Sequence, residues 1–375
     1  MIYLDYAATT PTDPRVLEAM KPYLETEFGN PSSIHRYGQT TRKAIDEARA
    51  SILSNIGAFS PHELVFTSGG TESCNMAIFG AAFARKDQGK HLVVSGIEHP
   101  AVLEPAFHLR DHFGFEVTVV NPDSEGFVRR EAIEAAMRPD TILISVMLAN
   151  NEIGTIQPIA EIADLARKKG VLMHTDACQA PGYIDINVER LGVDLLTLNG
   201  SKLYGPKGAG ILYVRQGLKI MPQLFGGGQE FRMRGGTENV AAIVGFAKAL
   251  DLVLAEKDAD RIQKLRDTLL DELLALPGIS LNGARNSRLA NNINVHVEGK
   301  SGESLVMRLD MEGLAASSGS ACSSGKTEPS TVLLALGQSK QKALESLRLT
   351  LGKFTTEAEV QEALSILKRV LLQSA

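Results

Sequence analysis

Asn199-Gly-Ser-Lys-Leu-Tyr-Gly-Pro-Lys-Gly-Ala-Gly210 is the stretch on which the fold turns. A short apolar run, Asp194–Leu198, leads into it, and another, Gly210–Val214, leads out. Runs of the same kind stand upstream at Leu64–Thr67, His91–Ser95, Glu116–Val120, Thr141–Met147 and Val171–His174. Amphipathic segments separate several of them. One is Ile159 to Lys169, with Ile159, Ile162, Ala163 and Ala166 on one face and Arg-Lys-Lys-Gly at its end, a helix stop signal. Strands alternating with helices predict an α/β fold: a mostly parallel seven-stranded sheet covered by helices on both faces. Lys202 sits just past a strand end, where such sheets place ligands. Gly205, Pro206, Gly208 and Gly210 impose a tight path with close backbone approach. A lysine held there can form a Schiff base with an aldehyde cofactor. Taken alone it is also an ordinary loop lysine, and Lys207 competes with it, although Pro206-Lys-Gly208 reads as a turn.

The alternation stops near residue 215. A Gly-rich stretch, Gly226 to Gly236, comes next, followed by a helix with Ile262, Leu265, Leu269, Leu273 and Leu276 on one face, closed by Pro277-Gly278. Short strands and helices resume at Asn292. Two domains are expected: a large one over residues 15–255, and a smaller α+β one from residues 1–14 and 256–375. The chain has 375 residues, 44% hydrophobic and 22% charged, which suits a folded core. Its formal net charge of −5 gives no electrostatic support to a nucleic-acid partner. No apolar run is long enough for a membrane span, and MIYLDYAATT does not read as a signal peptide. Three scattered cysteines, Cys74, Cys178 and Cys322, form no disulfide or zinc pattern, and no metal site is expected. A reducing cytoplasm is the simplest location.

Other strand ends carry candidate chemistry. Asp176, in His174-Thr-Asp-Ala-Cys-Gln179, closes a buried strand, where its carboxylate needs a partner; a protonated pyridine nitrogen is one, and a helix cap is the plain alternative. Thr67-Ser-Gly-Gly-Thr-Glu-Ser73 reads as strand, turn and helix, whose N–H groups with the Thr71 and Ser73 hydroxyls form a phosphate cradle or simply start a helix. It is neither a Walker A motif nor a G-x-G-x-x-G fingerprint. His99 opens a helix before Pro100, placed to stack on a flat cofactor and move protons, or to cap the helix. Asn150-Asn-Glu-Ile-Gly154 offers amides to a cofactor or substrate carboxylate, or a turn. Ser317-Ser-Gly-Ser-Ala-Cys-Ser-Ser-Gly325 surrounds one thiol with small polar residues, which predicts a mobile loop carrying a nucleophile or an incidental surface cysteine. Cys74 and Cys178 are expected to be buried and inert.

Taken in order, these segments resemble the class V aminotransferase group of pyridoxal phosphate enzymes of fold type I, and within it the cysteine desulfurases of iron–sulfur assembly. The likeness runs nearly end to end. It includes Tyr3-Leu-Asp-Tyr-Ala-Ala-Thr-Thr-Pro11, Thr67–Ser73, Glu98-His99, Asn150–Gly154, Asp176–Gln179 and Lys202-Leu-Tyr-Gly-Pro-Lys-Gly208. Gly226-Gly-Gly-Gln-Glu230, Arg234-Gly-Gly-Thr237, Ser317–Cys322 and Arg348-Leu-Thr-Leu-Gly352 complete it. The resemblance implies pyridoxal 5'-phosphate on Lys202, Asp176 at the pyridine nitrogen, Gln179 at the ring hydroxyl and His99 on the ring face. Gly70 and Thr71 would bind its phosphate, and Thr237 that of a neighbouring subunit, making a homodimer the working unit. Asn151 and Arg348 would bind the carboxylate of L-cysteine. Cys322 would take the sulfur as a persulfide, release alanine, and pass the sulfur to an iron–sulfur scaffold protein or another acceptor.

The sequence departs from the family pattern beside the lysine. Ser201 stands where the family usually has His, and Asn199 stands where it usually has Ser. Both replacements can still hydrogen-bond a phosphate. The chain also stops soon after Val370, without the tail that some relatives use against the scaffold partner. The competing readings are a selenocysteine lyase or other class V enzyme, and a non-catalytic sulfur-carrier subunit. A class V aminotransferase has no use for Cys322.

Overall fold

The computed structural model describes residues 1–318 and 328–372. Strand β1 (Ile2–Tyr3) opens the chain. Seven strands then build the main sheet: β2 (Leu64–Thr67), β3 (His91–Ser95), β4 (Glu116–Val120), β5 (Thr141–Ser145), β6 (Leu172–Asp176), β7 (Leu195–Asn199) and β8 (Gly210–Val214). Their order is β2-β8-β7-β6-β5-β3-β4, and only β8 runs antiparallel to its neighbours. The expected mostly parallel sheet of seven strands is therefore present.

The sheet is apolar on both faces because helices cover both. Val93, Ile144, Met173 and Leu196 pack on one side, while Leu92, Leu143, Leu172 and Leu195 pack on the other. Three strand limits differ from the apolar runs. The strand beginning at Thr141 ends at Ser145, not Met147, although Val146 and Leu148 still donate to the β6 carbonyls of His174 and Asp176. The strand read as Val171–His174 is Leu172–Asp176, because Thr175 and Asp176 stay in register with Leu196 and Thr197. The run Asp194–Leu198 shifts by one residue, to Leu195–Asn199. Backbone pairing, not side-chain polarity, decides these ends.

A separate apolar cluster joins Ile2 and Leu4 to side chains between Ile262 and Leu371. Around it lie β9 (Ile279–Leu281), β10 (Asn292–Val297), β11 (Leu314–Ala315) and β12 (Ser346–Thr350). Strands β12, β10 and β9 form an antiparallel sheet, and β1 pairs with β11. The helix Ala259–Leu274 buries Ile262, Leu265, Leu269, Leu270 and Leu273 against it.

Beyond β8 the Gly-rich stretch contains an unusual turn. Glu230, Phe231 and Arg232 follow one another at φ 45°, 56° and 66°, left-handed backbone that costs a side chain about 1–2 kcal/mol per residue. A buried ion pair offsets it. Arg49 Nη2 meets Glu230 Oε1 at 2.6 Å, and Glu230 Oε2 accepts the Phe66 N–H at 2.8 Å. Arg232 is exposed, so Arg232→Gly should relieve strain and raise stability by about 0.5–1 kcal/mol after the entropy cost of glycine. Thermal unfolding reads this as a higher midpoint; a lower one means Arg232 makes a contact worth more than its strain.

Candidate active site

The carboxyl ends of the parallel strands converge on a cavity of about 410 Å3. His99 follows β3, Asn151 follows β5, Asp176 ends β6 and Lys202 follows β7, and all four line it. Arg348 arrives from β12 of the second apolar unit.

Lys202 closes a short 3-10 turn, Gly200–Lys202, whose start is capped by Asn199: Oδ1 accepts the Ser201 N–H at 3.3 Å. Its Nζ donates to the carbonyl of Ala7 at 3.0 Å and to that of Ala8. Gln179 Nε2 donates to the same Ala7 carbonyl at 3.0 Å. The N-terminal segment is tied to this turn, since the Thr10 N–H donates to Ser201 O at 2.9 Å. Close approach explains the glycines: a Cβ on Gly210 would lie 2.6 Å from the Gly69 backbone.

Asp176 is 7% exposed. Its Oδ1 accepts the Cys178 N–H at 2.9 Å, and Oδ2 lies 3.7 Å from the Cys74 thiol. His99 caps the helix Pro100–Phe113, Nδ1 accepting from the Ala101 N–H at 3.0 Å. Burial lowers its pKa, with Lys202 adding to that effect and Asp176 opposing it, so the ring is neutral near pH 7. The cap and the cavity position coexist.

Gly69 starts the helix Gly70–Arg85 at φ 151° and supplies no side-chain cap. Gly70 and Thr71 at that start line the cavity. A Cβ on Gly70 would reach 3.0 Å from Cys178 Sγ, so a side chain there would press on the cavity wall. Ser73 departs from expectation. Its hydroxyl lies 2.7 Å from Thr67 Oγ1, donates to Gly69 O at 3.2 Å and is fully buried, so it braces the turn instead of facing a ligand. Cys74 is buried as expected, whereas Cys178 is partly exposed in the cavity wall. Burial pushes the Cys74 thiol well above its ordinary pKa, which keeps it inert.

Arg348 is 1% exposed. Its Nη2 donates to Asp5 Oδ1 at 2.8 Å and Nη1 to the Asn151 carbonyl at 3.1 Å, while Nε is buried without a partner among the described residues. Ser317 exchanges backbone hydrogen bonds with Arg348. Ser201 and Thr237 do not line this cavity; Thr237 is exposed beside a separate hollow with Ser68 and Arg234. Cys322 lies outside the described residues. No role could be assigned to Asp5, Ala7 and Ala8 from the sequence, although all three fall within the quoted Tyr3–Pro11 motif.

These groups fit a phosphorylated pyridine aldehyde. An uncapped helix start faces the cavity for the phosphate, a desolvated carboxylate for the ring nitrogen, and an amine for the aldehyde. The class-V aminotransferase family model matches residues 2–363. The chain is 51% identical to cysteine desulfurase IscS of Dictyoglomus turgidum, over 99% of this chain and 94% of that protein. A solved NifS-like protein matches with a TM-score of 0.92 at 36% identity, covering 99% of both chains. The structure of SspA in complex with cysteine matches with a TM-score of 0.84 at 37% identity, covering 95% of this chain and 100% of that one.

Proposed function

The chain belongs to the class-V aminotransferase family and within it to the cysteine desulfurases, which work with pyridoxal phosphate; on that premise we propose that it moves sulfur from L-cysteine to Cys322 and on to acceptors for iron–sulfur assembly or thio-modification. The observation that carries this reading is the convergence of Lys202, Asp176, His99 and Arg348 on one cavity.

Bound there, pyridoxal phosphate supplies an aldehyde and a sink for electrons. Lys202 would anchor it, and Gly70 and Thr71, with Asn199 beside them, would hold the phosphate end, Ser201 contributing only through the turn that Asn199 caps. Asp176 would meet the ring nitrogen and Gln179 the ring hydroxyl. His99 would cover the ring face; with Nδ1 accepting the Ala101 N–H, its neutral imidazole carries the proton on Nε2 and can give it. Asn151 and Arg348 hold the carboxylate of L-cysteine and so point its Cα toward Lys202. The Lys202 amine takes the Cα proton. The Cys322 thiolate attacks the substrate sulfur, the carbon–sulfur bond breaks, alanine leaves, and the sulfur stays on Cys322 as a persulfide.

Thr237 reaches the phosphate of a second copy in this reading. Its exposure, and the neighbouring Phe225 at 78% and Leu224 at 47%, support a homodimer. The separate apolar cluster from residues 2–4 and 262–371 supports a division into 15–255 and 1–14 with 256–375. No helix among the described residues is long and apolar enough to cross a membrane, and we assign the chain to the cytoplasm.

The reading is tested by incubating the loaded protein with cysteine and a thiol reductant and measuring alanine and sulfide. Both should form in equal amounts; neither forming from loaded protein sinks the reading. Cys322→Ala should keep the lysine-bound cofactor band and lower the rate roughly a hundredfold, with no persulfide on the protein. Unchanged turnover would make that thiol incidental.

A further inference from the structure

Glu98 stands in the cavity wall and is 2% exposed. Its Oε1 accepts twice, from Ser95 Oγ at 2.7 Å and from the Met147 N–H at 2.6 Å. Its Oε2 is buried with no hydrogen-bond partner among the described residues. The titratable groups that face it are the Asp176 carboxylate on β6 and the Cys74 thiol on the helix Gly70–Arg85; no cation pairs with it among the described residues. An ionised carboxylate with one oxygen buried and unmatched is costly, whereas an acid carries an O–H on that oxygen.

We propose that Glu98 works as a neutral carboxylic acid, a positioning residue that leaves Asp176 as the one carboxylate charge in its part of the cavity wall. The inference rests on reading this cavity as the pyridoxal phosphate site. Two carboxyl groups close together divide into one acid and one base when their surroundings differ. Here the surroundings differ in kind. Asp176 Oδ1 accepts the Cys178 N–H and Oδ2 has the Cys74 thiol beside it, so both of its oxygens are matched. Glu98 has one matched oxygen and one bare. Burial, reinforced by Asp176 and opposed by Ser95 and Met147, raises the Glu98 pKa to about 8. The Cys74 thiol stays protonated for the same reason. Glu98 therefore adds no charge beside Asp176 at neutral pH and adds one only in alkali.

Glu98→Gln tests this, because the amide keeps an acceptor for Ser95 and Met147 and places an N–H where the acid has its O–H. The first readout is thermal unfolding of the cofactor-free protein against pH. A carboxyl raised from 4.5 to about 8 stabilises the fold fully below about pH 4.5 and loses that contribution as pH climbs to about 8. Relative to the variant, the wild-type midpoint should fall steadily from roughly pH 5 to 8 and then level off. A constant difference across that window overturns the proposal.

Ser95→Ala, which removes one donor from Oε1, should move the end of the decline to higher pH; a move to lower pH counts against it. The second readout is the visible band of the loaded protein. Above about pH 8 the ionised Glu98 adds charge beside Asp176, so the wild-type cofactor should hold its proton at least about threefold more tightly than the variant. Equal titrations overturn the positioning role. A wild-type protein with no lysine-bound band fails the cofactor reading itself, while the cofactor-free unfolding curves still report on Glu98.

Discussion

Lys202→Ala should leave a folded protein that carries no lysine-bound cofactor band and turns over cysteine at least about a thousandfold more slowly. The fold survives because the losses are small. Lys202 sits on a capped 3-10 turn, and the Asn199 cap and the Thr10 bond to Ser201 involve no Lys202 side-chain atom. The Ala7 carbonyl, which loses Nζ, keeps the Gln179 amide. The chemistry should not survive, since in the proposed mechanism one amine serves as both the covalent anchor and the base at Cα. The check is an absorbance spectrum together with an alanine assay, with unfolding followed to show that structure is retained. A band and rate near wild type would transfer both roles to another lysine.

Arg348→Ala should raise the KM for cysteine about a hundredfold and also destabilise the protein, by up to about 3 kcal/mol. Arg348 is buried, with Asp5 and the Asn151 carbonyl on its two terminal nitrogens. Truncation leaves Asp5 without its cation and removes the fork that recognises a carboxylate. Asp5 keeps some contact with water, its side chain being 20% exposed, which limits the stability loss. Arg348→Lys separates the two effects. It restores charge beside Asp5 but not the planar fork, so stability should recover more than KM does. Steady-state kinetics and thermal unfolding of both variants check this; a KM unchanged in Arg348→Ala would place the substrate carboxylate elsewhere.

Much of the site could be read before the fold was seen because parallel strands announce their own ends. Asp176 and Lys202 each follow an apolar run of the kind that fills a two-faced sheet, and His99 follows one through a short turn. Chemistry-bearing residues at such ends are brought together by the sheet itself. What could not be read was of three kinds. The Ala7 and Ala8 acceptors are backbone carbonyls, which no side chain signals. Ser73 carries a hydroxyl at a helix start, yet hydroxyls there bind the local backbone as readily as a ligand, and this one does. Glu98 sits beside His99 in one motif, but its unmatched oxygen becomes visible only once Ser95 and Met147 are seen on the other.

The structure also redistributes the residues around Lys202. Ser201 and Asn199, the two departures from the family pattern, act differently. Asn199 caps the turn and lines the cavity, while Ser201 gives its N–H to that cap and its carbonyl to Thr10. Asn199 therefore fixes the backbone that presents the lysine.

Every role proposed for the cavity depends on Lys202 being the cofactor anchor. Borohydride reduction of the loaded protein, followed by proteolysis and peptide mass mapping, tests it most directly. The cofactor should be found fixed on the peptide at Lys202. Cofactor fixed at Lys207 with Lys202 unmodified, or no fixed cofactor at all, would contradict it.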